Sequence, residues 1–134
     1  MTRHFSVYIL LLACTLAGAQ SRKDTVGDIN GIWKGKLVMA PGGCFPVYNI
    51  ELQLQVAGSR ITGTAYHFSD SLNYVRENFE GIFKKDSNAI VIQENGIITF
   101  RIREDCVPCV KRYQLSYHKG GGNVVTEEQL RGSW

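Results

Sequence analysis

The strongest constraint on this 134-residue chain is a period of two. In Tyr48-Asn-Ile50-Glu-Leu52-Gln-Leu54-Gln-Val56, the residues Tyr48, Ile50, Leu52, Leu54 and Val56 share one face. Asn49, Glu51, Gln53 and Gln55 share the other. Side chains alternate along a β-strand, so the segment predicts a strand with one dry and one wet side, as antiparallel sheets have. Comparable runs recur at Ile32 to Met39, Pro46 to Val56, Arg60 to Phe68, Tyr74 to Phe83, Ala89 to Gln93, Ile97 to Arg103, Lys111 to Tyr117 and Val124 to Trp134. Turn chemistry separates them: Ala57-Gly58-Ser59, Ser69-Asp70-Ser71, Lys84 to Asn88, and Lys119-Gly120-Gly121-Gly122-Asn123. Glu94-Asn95-Gly96 contains Asn-Gly, the strongest short hairpin signal, and divides the fifth run from the sixth. No interval leaves room for a crossover helix. The expected fold is all-β, an eight-stranded antiparallel up-and-down barrel or barrel-like sandwich. Closure removes two sheet edges, so Trp134 is expected beside the first strand, near Ile32 to Leu37.

Ahead of this pattern, Arg3 and His4 precede an apolar run from Phe5, which ends in Ala17-Gly18-Ala19. A basic start, a short apolar stretch and an Ala-x-Ala exit have the form of a secretory signal peptide. Phe5 to Ala19 is 15 residues, short of the roughly 20 a membrane-spanning helix needs. The chain therefore divides into a signal peptide at 1–19, a polar linker at 20–29 and a barrel domain at 30–134. A second reading competes. Leu11-Leu12-Ala13-Cys14 resembles the lipobox of bacterial lipoproteins, which would lipidate Cys14 and tether the chain to a membrane surface without spanning it. The expected location is periplasmic or extracellular, or membrane-tethered in the second reading. A net charge of +3 from scattered basic residues argues against a nucleic-acid partner.

Gly31-Ile32-Trp33 at the start of the first strand resembles the opening of lipocalins and their barrel relatives, the calycin group. In that group the tryptophan plugs the closed end of the barrel, a role the resemblance assigns to Trp33. Thr62-Gly63-Thr64 is similar to a strand of the avidins, whose biotin contacts do not map onto this chain. The layout also resembles small exported bacterial proteins of unassigned role, with a Gly-x-Trp start, an Ile-Thr-Gly-Thr strand and a final Gly-x-Trp at Gly132-Ser133-Trp134. The resemblance implies a non-catalytic binding barrel.

Little in the sequence points to chemistry. Cys106-Val107-Pro108-Cys109 lies between strand patterns, not at the helix N-terminus that activates a redox thiolate. A zinc site needs about four ligands, and Cys44, His67 and His118 have no recognised spacing, so no metal and no cofactor are expected. A structural disulfide is the default in an exported chain. With eight strands in a strict meander, the loop holding Cys44 and the turn holding Cys106 fall at opposite poles. That disfavours a Cys44 bridge and leaves a local Cys106–Cys109 pair with Cys44 free. Glu77 and Glu80, three apart, fall on opposite strand faces and cannot form a carboxylate pair. His67, Asp70 and Ser71 span a turn and make no triad. Lys34, Lys36, Lys84, Lys85, Arg101, Arg103, Lys111 and Arg112 read as solvated basic surface. No enzymatic activity is expected. The leading function is an exported binding module for a small or apolar ligand, with Tyr48, Tyr66, His67, Tyr74 and Arg76 at the barrel rim. The alternative is an interaction module of the cell envelope without a ligand cavity. Oligomeric state is left open.

Overall fold

The period of two becomes a single antiparallel meander in the computed structural model, which describes residues 28–121 and 127–134. The strands are β1 (Gly31–Val38), β2 (Val47–Ala57), β3 (Arg60–Asp70), β4 (Asn73–Lys84), β5 (Ala89–Arg101), β6 (Arg112–His118) and β7 (Gln129–Ser133). A 3-10 turn at Lys85–Ser87 joins β4 to β5. Each strand pairs with the next in chain order, giving a nearly closed up-and-down barrel compatible with a lipocalin-like fold. The expected signal peptide, Cys14 and the start of the last run at Val124 lie outside the described residues. No helix among the described residues is long and apolar enough to cross a membrane.

Among the described residues there are seven strands rather than eight, because Asn95-Gly96 does not turn. Ala89 to Arg101 runs through as one strand against β4, and the register shifts twice, between Arg76 and Glu77 and between Asn78 and Phe79. Asn95 and Ile98 are the unmatched residues. A β-bulge admits one such residue and adds twist without reversing the chain. Asn-Gly here supplies a bulge, the other use of a conformationally permissive pair.

The merged strand also corrects the disulfide. With seven strands, the β1–β2 and β5–β6 connections lie at the same pole of the barrel. Cys106 pairs with Cys44, at a Cα separation of 5.9 Å, and not with Cys109. Cys109 is a free, exposed thiol. One miscounted hairpin caused both errors, since adding a turn inverts the parity of every later connection.

Closure is incomplete. β7 pairs with β6 alone, and no ladder joins it to β1. The seam is crossed by the indole N–H of Trp134, which donates to the Val38 carbonyl at 3.2 Å. Trp134 thus reaches the first strand as expected, without the backbone pairing expected of it. Elsewhere the strands pack closely. A Cβ on Gly63 would collide with the Gln53 carbonyl and the Phe79 ring, and one on Gly132 with the Gln114 carbonyl.

Inward-facing residues fill the lumen. Toward the pole away from the disulfide these are Leu54, Ile61, Phe83, Ile90 and Tyr117, all buried. That pole is stoppered by Ile29, 1% exposed, which the sequence assigned to the linker. Trp33 is only partly buried beside it. Its indole N–H donates to the Ile29 carbonyl at 2.9 Å, and its ring meets Tyr117 edge-on at 6.2 Å. Trp33 thus lies at this pole next to Ile29.

Candidate functional site

Toward the disulfide pole the same inward faces carry polar groups. β3 presents His67 two residues beyond Ala65, β4 presents Glu77 two before Phe79, and β5 presents Glu94 two beyond Ile92. Tyr113 comes from β6, and Lys111 from the residue just before that strand. His67, Glu77, Glu94, Lys111 and Tyr113 are all buried. Charged side chains are almost never fully buried unless paired, so the cluster is the chemical exception in this core.

Glu94 is the best-held member. Tyr113 donates its hydroxyl to Oε1 at 2.5 Å, His67 Nε2 stands 2.7 Å from the same oxygen, and the Lys111 backbone N–H donates to Oε2 at 2.6 Å. Burial pushes the Glu94 carboxyl up, but His67 first, then Glu77 and Tyr113, outweigh it and hold the group below its ordinary value. Burial opposes charging His67, yet Glu77 and Glu94 raise its pKa overall. Burial, with the negative charge of Glu94, pushes the Tyr113 phenol far up, so it stays a donor.

Glu77 is the reverse case. Its Oε2 has His67 Nε2 at 3.5 Å and the Lys111 ammonium at 3.9 Å, and neither is a hydrogen bond. Both of its oxygens, and His67 Nδ1, are buried without any hydrogen-bond partner. Burial, reinforced by Glu94, pushes the Glu77 carboxyl above the usual range. The Lys111 ammonium donates instead to the Cys109 carbonyl at 2.9 Å. Above the cluster lies a cavity of about 30 Å³, reached from the disulfide pole and lined by Tyr48, His67, Cys44, Cys106, Cys109 and Lys111 among others.

The second opening is the seam. A groove of about 400 Å³ runs between β1 and β7. Inner-face residues Trp33, Leu37, Ile50, Leu52 and Leu115 wall it, and Trp134 stands at its end.

Of the five rim residues expected from sequence, Tyr48 and His67 meet at the small cavity. Tyr66, Tyr74 and Arg76 do not join them. Tyr66 follows directly before His67 on one strand and so points outward, stacked on Phe68 at 4.9 Å and 5.9 Å from Tyr74. Arg76 is exposed on the same outer side, opposite Tyr66. Glu77 and Glu80 do take opposite faces: Glu80 is out in solvent with Arg60. Lys111 is the exception among the basic residues, drawn inside rather than solvated. Sequence reasoning missed Glu77, Glu94, Lys111 and Tyr113 as a group. Comparisons with protein-family models, with curated proteins and with solved structures find no match to this chain.

Proposed function

We propose that the protein is an exported, non-catalytic binding barrel of lipocalin type. In this reading its small, largely apolar ligand occupies the seam groove between β1 and β7. One observation carries the reading: the unpaired seam leaves about 400 Å³ open onto inner-face apolar side chains, bordered by charged ones including Lys34, Lys36, Glu128 and Arg131, within the ~300–1,000 Å³ usual for ligand pockets. The rest of the apolar lumen is filled by side chains, so the seam is where an apolar ligand finds room. Export is supported by the Cys44–Cys106 bond, which belongs in an oxidising compartment.

The chain has two tryptophans, and both line the groove. Energy transfer from tryptophan to the apolar dye N-phenyl-1-naphthylamine therefore reports occupancy directly. The expected result is saturable transfer at one dye per chain, with affinity weakened several-fold in Trp33→Ala. Transfer that never saturates, or that Trp33→Ala leaves unchanged apart from donor loss, overturns the proposal.

The envelope-module alternative is favoured by a different feature. Beyond Gln93, the last residue paired with β6, β5 bears exposed Ile97, Ile98 and Phe100, at 42%, 48% and 51%. An unpaired strand edge with apolar side chains is a template for association. A monomer by sedimentation at high protein concentration, with no partner cross-linked in envelope preparations, sinks that alternative.

A further inference from the structure

We propose that His67, Glu77 and Glu94 form a binding site for one divalent transition-metal ion, zinc or an ion of like preference, inside the barrel. The three ligand residues do not line the seam groove, which meets the site at Tyr113, and the site stands whether or not the groove binds a ligand.

One candidate ligand atom from each of the three residues lies within 4.8 Å of the other two. His67 Nε2 is 3.5 Å from Glu77 Oε2 and 2.7 Å from Glu94 Oε1. Ligand atoms bound at about 2.0–2.2 Å around one zinc stand about 3.0–3.5 Å apart. The His67–Glu77 edge already has that length. The His67–Glu94 edge needs to open by under about 1 Å, which happens when an ion replaces the proton between them.

A buried acidic cluster can be a plain ion-pair network, but Glu77 departs from that pattern. Its side chain has no measurable exposure, it aims into the cluster, and neither oxygen accepts a hydrogen bond. A buried carboxylate left this way costs free energy that a bound cation removes. Lys111 does not fill the role: its ammonium stays 3.8–3.9 Å from both carboxylates and donates to the Cys109 carbonyl. Glu94, by contrast, is oriented from outside by the Lys111 backbone N–H on Oε2. The Tyr113 hydroxyl stands inside the cluster, 2.5 Å from Glu94 Oε1 and 3.1 Å from His67 Nε2, and gives way to the ion there.

The donor set chooses the ion. One imidazole nitrogen with two carboxylates suits zinc and its neighbours, whereas calcium and magnesium prefer all-oxygen sites that keep several waters. The adjoining space of about 30 Å³ holds roughly one or two waters. It meets the site at His67 and Lys111 and at neither carboxylate, and it is too small for a hydrated magnesium shell. The route in runs past Tyr48 and the Cys44–Cys106 bridge. Among the described residues Lys111 is the side-chain ammonium that faces both carboxylates, so it would weaken affinity while keeping the empty site folded.

The test is isothermal titration of tag-free, chelator-stripped protein with ZnCl₂ at neutral pH, with native mass spectrometry to count ions. The expected result is one zinc per chain, at least about tenfold weaker in Glu77→Gln, and equal or tighter in Lys111→Met. Magnesium is expected not to compete. Circular dichroism establishes that each variant is folded. Should Glu77→Gln fail to fold, His67→Gln is read in the same way. No binding, or binding that the folded variant retains at full strength (ions held at exposed His118, for example), overturns the proposal.

Discussion

At the far pole of the lumen, Leu54, Ile61, Phe83 and Ile90 meet side by side with nothing polar among them. A few residues along the same strands, the same inward positions hold His67, Glu77, Glu94, Lys111 and Tyr113. Strand parity is the same in both halves, although the register shifts of β4 on β5 fall in the second, beside Glu77 and Glu94. The halves differ in what burial does. In the dry half each buried group gains by leaving water. In the wet half each buried group loses by it, and the loss is offset only where a partner is found. Glu94 finds three hydrogen-bond partners and Glu77 none, only the longer ion pairs to His67 and Lys111. A barrel supported on one half can hold a poorly satisfied group in the other.

The largest effect expected is in the dry half. Phe83 is 2% exposed, and Phe83→Ala leaves a cavity worth about 3–5 kcal/mol of stability. Urea unfolding should show this loss with an unchanged slope. A loss below about 1 kcal/mol would mean that the two halves do not divide the work of stability as described.

Next comes the bond at the wet pole. Cys44 and Cys106 are 62 residues apart, and a cross-link closing a loop of that length typically contributes about 2–4 kcal/mol. The double variant Cys44→Ala/Cys106→Ala is expected to lose about that much. Amide exchange should rise first around β6 and the start of β2, while Ile61 and Ile90 stay protected. Uniform exchange in both halves would show that the barrel opens as one unit, which breaks the comparison.

Much of this division was legible from strand parity. Ile61, Gly63 and Ala65 share a face, and one more step of two reaches His67. Phe83, Gly81 and Phe79 lead back to Glu77. Ile90 and Ile92 lead to Glu94, and Tyr117, Leu115 and Tyr113 lead to Lys111. The polar residues were hidden because alternation is usually read by its apolar members and stopped at the first charge. Glu94 was further masked by Asn95-Gly96, which reads as the end of a strand. Two things were not legible. The bulges at Asn95 and Ile98 depend on how β4 and β5 twist together. The meeting of groups from separate strands depends on a register that no single strand encodes. The disulfide was lost to the first of these, since its parity followed from the strand count.

A smaller effect sharpens the wet half. In metal-free buffer, Glu77→Gln removes a carboxylate that burial already disfavours. Stability should change by less than about 1 kcal/mol in either direction. Glu94→Gln should cost more, about 1–3 kcal/mol, because it leaves His67 and two donors badly matched. Equal costs at the two positions would mean that Glu77 is better satisfied than its geometry indicates.

The smallest effect compares Glu77 with Asp70, a carboxylate a few residues away in chain and opposite in setting. Asp70 ends β3 at the turn into β4, in solvent. It accepts from the Leu72 backbone N–H at 2.7 Å and from the Asn73 amide at 3.0 Å. The Leu72 backbone bond, then the Asn73 side chain, hold its pKa below the ordinary aspartate value. A group whose folded pKa is depressed adds stability above its unfolded pKa, and that stability disappears as pH falls through the folded one. The contribution of Asp70 is therefore present at pH 6 and fades below about pH 4. Asp70→Asn keeps an oxygen for the turn but cannot titrate. The urea midpoints of wild type and Asp70→Asn should differ slightly at pH 6, in favour of wild type, and draw together as pH falls below about 4. A gap that stays constant across that range would show that the turn is held by shape and not by the carboxylate charge. The two acidic groups would then differ only in burial, and not in whether their charge is used.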